Sequence, residues 1–120
     1  MACMEDMRMT NTAEMMKGTV VPVVLKLLSE REMYGYEILK EVNTRTHDVL
    51  AWKEATLYPS LHRLERQGLI QSAWRQGESG RRRKYYVLTR KGSKALVKQV
   101  SDWTMVNRAV SSILTPMMAG

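Results

Sequence analysis

Apolar positions along this chain keep two different periods. Over Val20 to Val42 and again over Leu57 to Leu64 they recur at threes and fours, as on one face of an α-helix; over Leu69 to Leu88 the period drops toward two. Val20, Val24, Leu27 and Leu28 share a face, Thr19 can cap them, and Pro22 is tolerated in a first turn whose N–H groups lack intrahelical partners. A first helix is therefore expected from about residue 19 to Ser29. Tyr36, Ile38, Leu39 and Val42 mark a second one after Gly35, ending near Thr46. Following a connection over His47 to Lys53, Leu57, Leu61 and Leu64 define a third, which Gly68 stops.

Beyond Gly68, Ile70, Ser72 and Trp74 alternate with Leu69, Gln71 and Ala73, and Tyr85 and Val87 alternate with Tyr86 and Leu88. Two strands around a glycine-bearing loop predict a β-hairpin. Thr89 suits an N-cap, and the period of threes and fours then returns in Leu96, Val100, Trp103, Val106, Val110, Ile113 and Met117, with Pro116 and Gly120 at a fraying end. Helix, helix, helix, hairpin, helix is a mainly α pattern with a small β-hairpin. It is the order of a winged helix-turn-helix followed by a C-terminal helix suited to dimerisation. The expected division is a flexible or partly helical segment over 1–16, a winged helix-turn-helix over 17–89, a dimerisation helix over 90–116 and a frayed tail over 117–120.

Composition narrows the function. A chain of 120 residues with 44% hydrophobic content suits one domain. Cys3 is the only cysteine, and His47 and His62 lie far apart, so neither a disulfide nor a metal site nor any cofactor is expected. The run from Val20 to Leu28 is too short to span a bilayer and is broken by Pro22 and Lys26, which predicts a cytoplasmic protein without a membrane partner. The net charge is +7, and all of it is local: between Arg75 and Lys94 stand eight basic residues and the single acid Glu78. Such a cluster favours a polyanion, nucleic acid above all.

The charge centres on the loop Gly77-Glu78-Ser79-Gly80-Arg81-Arg82-Arg83. Arg81, Arg82, Arg83 and Lys84 are the candidate DNA contacts of this wing, with alternation sending neighbouring side chains to opposite faces, some to phosphates and some to a minor groove. The competing reading is a solvated, solubilising loop. Trp74, Tyr85 and Tyr86 read mainly as hairpin packing, with one tyrosine facing outward and its hydroxyl available to phosphate. In the third helix Leu57, Leu61 and Leu64 would anchor, while Thr56, Tyr58, Pro59, Ser60, His62 and Arg63 are the candidate DNA-facing residues, Arg63 foremost for a base edge. No nucleophile with its base, phosphate loop or metal cluster supports an enzyme.

The last helix carries more apolar surface than a domain this small can cover, so Leu96, Val100, Trp103, Val106, Val110 and Ile113 are expected to build a homodimer seam. Large aromatic residues at a seam ordinarily fill it. A looser seam around Trp103 would offer a flat apolar slot for an aromatic ligand.

Several stretches together resemble the PadR-like transcriptional regulators, winged-helix repressors named for control of phenolic acid decarboxylase. They are Lys17-Gly18-Thr19, Tyr34-Gly35-Tyr36-Glu37-Ile38, Ala55-Thr56-Leu57-Tyr58-Pro59-Ser60-Leu61, Arg63-Leu64-Glu65, Gly68-Leu69-Ile70 and Gly80-Arg81-Arg82-Arg83-Lys84-Tyr85-Tyr86-Val87-Leu88-Thr89. Pro22 departs from the family's all-aliphatic first helix. The single C-terminal helix is similar to that of the compact subgroup, where it builds the dimer. The resemblance implies a repressor that binds double-stranded DNA at a promoter as a homodimer. For Trp103 it implies contact with a small hydrophobic or aromatic effector that releases the DNA. An architectural or RNA-binding winged-helix protein without gene-specific regulation is the alternative expectation.

Overall fold

A computed structural model of the chain describes residues 18–119, with side chains as far as residue 115. Helix α1 covers 18–30 within these bounds, followed by β1 (Met33–Tyr34), α2 (Gly35–Arg45), α3 (Glu54–Arg66), β2 (Ile70–Gln76), β3 (Arg82–Leu88) and α4 (Arg90–Ala119). The expected segment 1–16 lies outside the described residues. Since α1 is already helical at residue 18, Pro22 sits inside it rather than in its first turn. A proline there forfeits one N–H bond, to the Gly18 carbonyl, while its ring is buried. Likewise α4 runs three residues past Pro116, where fraying was expected.

The helices bury the faces their spacing announced. Val24, Leu25 and Leu28 of α1, Ile38 and Val42 of α2, and Leu57, Leu61 and Leu64 of α3 meet in one core, floored by Ile70 and Tyr86 of the sheet. That sheet has three strands in the order β1-β3-β2, not the two of a bare hairpin. Met33 pairs with Tyr86 and Tyr34 with Tyr85, both antiparallel, so the short β1 covers the free edge of β3. A pair two residues long leaves no alternation to read.

Local chemistry sets the joints. Glu37 accepts the Tyr34 N–H at 3.2 Å, capping α2, and pairs with Arg31 at 3.2 Å. Between α2 and α3 the chain turns through three non-glycine residues of positive φ, His47, Asp48 and Ala51. Asn43 holds this turn from α2: its Oδ1 accepts the Trp52 N–H at 2.8 Å and its Nδ2 donates to the Trp52 carbonyl at 3.1 Å, with the Trp52 ring buried below. The left-handed conformation costs roughly 1–2 kcal/mol per residue, so the double clamp is needed to hold it.

Gly68 ends α3 as expected, at φ +77°. The Leu69 N–H reaches the Leu64 carbonyl and the Gly68 N–H that of Glu65, both at 3.0 Å, a Schellman closure. Thr89 caps α4, its Oγ1 accepting the Gly92 N–H at 3.0 Å and donating to the Gly68 carbonyl at 2.7 Å. The last helix is thereby seated on the joint between α3 and the hairpin. Gly92 is buried where α4 passes the Leu69 backbone, and a Cβ there would collide with the Leu69 carbonyl and the Leu88 side chain. Glycine to alanine inside a helix ordinarily stabilises by about 1 kcal/mol. Gly92→Ala is expected to do the opposite, costing about 1–3 kcal/mol in a chemical denaturation series at fixed protein concentration.

Candidate nucleic-acid interface

On α3 the exposed arc is formed by Ala55, Pro59, His62 and Arg66, with Arg63 beside it. Of the expected contacts, Pro59, His62 and Arg63 therefore face solvent, and Thr56 and Tyr58 are half-buried. Ser60 does not face outward: it is 7% exposed and its Oγ donates to the Thr56 carbonyl at 3.5 Å. The spacing contained the reason, since Ser60 lies three residues after Leu57 and four before Leu64, inside the buried arc. The same spacing adds Arg66 to the outer face, a cation absent from the expected set. Tyr58 lays its ring against Gly35, whose missing side chain makes room for it at the start of α2.

The wing is an antiparallel ladder from Ile70↔Leu88 to Gln76↔Arg82. Its tip closes where the Gly80 N–H donates to the Gly77 carbonyl at 2.9 Å, with Gly80 at φ +81°, a conformation glycine adopts freely. Alternation divides the cations. Arg83 lies on the outer sheet face, its guanidinium 4.4 Å from the Tyr34 ring centroid, and Arg82 on the helix-facing side, 5.9 Å from that of Trp74. Arg81 is exposed at the loop end. Among the described residues none of these three arginines has a carboxylate partner.

Lys84 behaves differently from its neighbours. Its Nζ lies 3.7 Å from Glu65 Oε1 and 5.6 Å from the centre of the Tyr86 ring. Glu65 Oε2 accepts a hydrogen bond from Ser72 as well, so one carboxylate on α3 ties both long strands of the wing to the helix. Of the four cations Arg81 to Lys84, Lys84 alone is ion-paired among the described residues, and its pairing is to α3. Arg75 is similarly neutralised by Glu32 at 3.0 Å. Burial, then the charge of Glu65 and the neighbouring Tyr58, pushes the Tyr86 hydroxyl above its ordinary pKa. Of the paired tyrosines it is Tyr86 that enters the core, while Tyr85 packs edge-on against Tyr34 with ring centres 5.3 Å apart.

A groove of about 350 Å³ separates α3 from the wing, walled by Tyr58 and His62 on one side, Trp74 and Arg81 to Lys84 on the other, and Tyr34 to Tyr36 at the end. The recognition face of α3 and the unpaired arginines thus border one concave, basic surface. Among the described residues no helix is long and apolar enough to cross a membrane.

Along α4 the expected seam splits in two. Leu96 is half-buried and packs on the domain's own core, anchoring the helix rather than facing outward, because Gly92 brings this first part of α4 down onto the domain. From Val100 onward the stripe is uncovered: Val100, Trp103, Val106, Val110 and Ile113 are exposed, with Val97, Met105 and Leu114 adding to the apolar surface. Val100 and Trp103 also form one wall of an apolar cavity of about 470 Å³, whose other walls are Pro22, Val23 and Leu27 of α1, the end of α2, and Val49 and Leu50 of the turn. Arg45 stands at its rim between Glu30 and Glu41, with its nitrogens 2.6 and 2.9 Å from their carboxylate oxygens. The hydrogen bond from Arg45 holds the Glu30 carboxyl below its ordinary range.

A three-helix core with a basic wing beside an exposed third helix defines a winged helix-turn-helix DNA-binding protein. Residues 24–98 match the model of the transcriptional regulator PadR-like family, and the chain belongs to that family. A PadR family transcriptional regulator from Eggerthella lenta is 32% identical, covers 95% of this chain and 97% of its own, and superposes with a TM-score of 0.78. A transcriptional regulator from Clostridium thermocellum is 34% identical over 82% of this chain and 96% of its own, with a TM-score of 0.76. A PadR-like transcriptional regulator from Bacillus cereus is 32% identical over 84% and 96%, with a TM-score of 0.74. The protein is accordingly a DNA-binding transcriptional regulator and not an enzyme.

Proposed function

We propose that the chain acts as a homodimeric repressor that occupies a promoter operator and is released by a small hydrophobic or aromatic effector. The observation that carries this reading is the placement of three unpaired arginines across one groove from the outer face of α3, on a protomer whose last helix leaves an apolar stripe uncovered. Paired along that stripe, two protomers would set their third helices in successive major grooves, about 34–36 Å apart. Pro59, His62, Arg63 and Arg66 would read or flank the bases, and Arg81, Arg82 and Arg83 would clamp the backbone or the adjacent minor groove.

The cavity beside Trp103 suits an apolar effector. It touches α1, the α2–α3 turn and α4 at once, so a ligand there would bear on both the dimer seam and the approach to α3. It would shift the protein toward a non-binding spacing only to the extent that it prefers that state.

Binding to the duplex upstream of the chain's own gene, compared with random duplex at the same salt, tests the reading. Preference for the upstream duplex is expected. Equal affinities would instead favour an architectural protein, and preference for RNA an RNA-binding one, since salt dependence alone accompanies all three.

A further inference from the structure

The aromatic residues of the wing are treated in opposite ways on its two faces. On the outer face they cover one another: Tyr34 and Tyr85 pack edge to face, and Arg83 closes over Tyr34. On the face toward α3, Trp74 is left 61% exposed. Its cross-strand partner Lys84 turns away to Glu65, and Arg82 approaches the ring without enclosing it. Hairpin packing, the expected role of this tryptophan, is therefore not what it does. Across the end of the same groove Tyr36 is 60% exposed. This basic concavity is thus lined by apolar rings that the described residues leave exposed.

A purely ionic partner would not use those rings. The backbone of duplex DNA would, because each charged phosphate alternates with a largely apolar deoxyribose. We propose that Trp74 is a direct DNA contact, its indole face packed on a deoxyribose of the duplex while Arg82, already leaning on the ring, reaches the adjoining phosphate. The assignment rests on the DNA-binding reading above and extends it. The wing holds DNA through charge at its tip and through a salt-independent apolar contact two ladder pairs below the tip, on the face toward α3.

The two kinds of contact separate in a salt series. With a labelled duplex from upstream of the chain's own gene, Trp74→Ala is expected to weaken binding about tenfold at every salt concentration and to leave the slope of log affinity against log salt unchanged. Trp74→Phe is expected to keep most of the affinity and to lose the DNA-dependent quenching of tryptophan fluorescence, with Trp52 and Trp103 unaltered. Wild-type affinity in Trp74→Ala would overturn the proposal, as would a slope reduced by about two, roughly 0.9 for each protomer of the dimer, which would mark the ring as a mere prop for a phosphate-binding Arg82. Stronger binding of the matching single strand than of duplex, lost in Trp74→Ala, would overturn it in favour of base stacking. The Arg81, Arg82 and Arg83 triple alanine separates the two levels: if it weakens duplex binding while Trp74→Ala does not, the regulator reading stands and this contact falls. If the wild type binds no duplex, both fall.

Discussion

Replacing Arg81, Arg82 and Arg83 together with alanine is expected to weaken operator binding on the order of a thousandfold while leaving the fold intact. The three side chains lack carboxylate partners among the described residues, and two of them are exposed, so little native structure depends on them. The largest internal loss is the stacking of Arg83 on Tyr34, on the order of 0.5–1 kcal/mol at such a site. Each phosphate contact removed flattens the salt slope by roughly 0.9, so six contacts in a dimer would lower it by roughly 5. At about 0.1 M salt the expected loss of affinity is on the order of a thousandfold. Fluorescence anisotropy across a salt series, with a circular dichroism melt as the folding control, measures both. An unchanged slope would return the loop to a solubilising role.

Glutamate at both Val106 and Val110 is expected to split the dimer and with it the operator affinity. These residues are one helical turn apart on the uncovered stripe, 58% and 48% exposed in the protomer, so the charges cost a monomer only about 0.2–0.5 kcal/mol and face each other across a seam. The domain itself should remain folded, because α4 is seated upstream by Thr89, Gly92 and Leu96. Light scattering should show the monomer mass. Affinity for a two-half-site duplex should fall by a hundredfold or more, roughly the avidity that joining two modest sites confers. A variant that stays dimeric would place the seam elsewhere on the protomer.

Both predictions draw on features of different legibility. The helix faces, the Gly68 stop, the Thr89 cap and the basic hairpin tip are written locally, within a turn or two of chain, and the structure keeps them. Four assignments needed more. Ser60 has the polarity of a groove-facing residue, yet its place in the helical period sets it in the core beside Leu57, Leu61 and Leu64. Leu96 looks like the rest of its stripe, yet the close approach of Gly92 to Leu69 turns it to its own domain. Lys84 continues the arginine run but meets Glu65, 19 residues upstream. Met33 and Tyr34 form a strand only because β3 offers them an edge.

The sequence by itself determined the class of protein: the order of helices and strands, the apolar face of each, and a +7 charge confined to one hairpin. Those properties are periodic or compositional, and period and composition survive without coordinates. Tertiary structure alone decided which cations are free to meet DNA and which are consumed inside the domain, and which tryptophan is covered and which presented. Pairing between charges and covering of rings depend on residues distant in the chain, so no local pattern encodes them. Arg81, Arg82 and Arg83 remain open because no carboxylate among the described residues reaches them, and Trp74 remains open because Lys84, its neighbour across the strand, is held by Glu65.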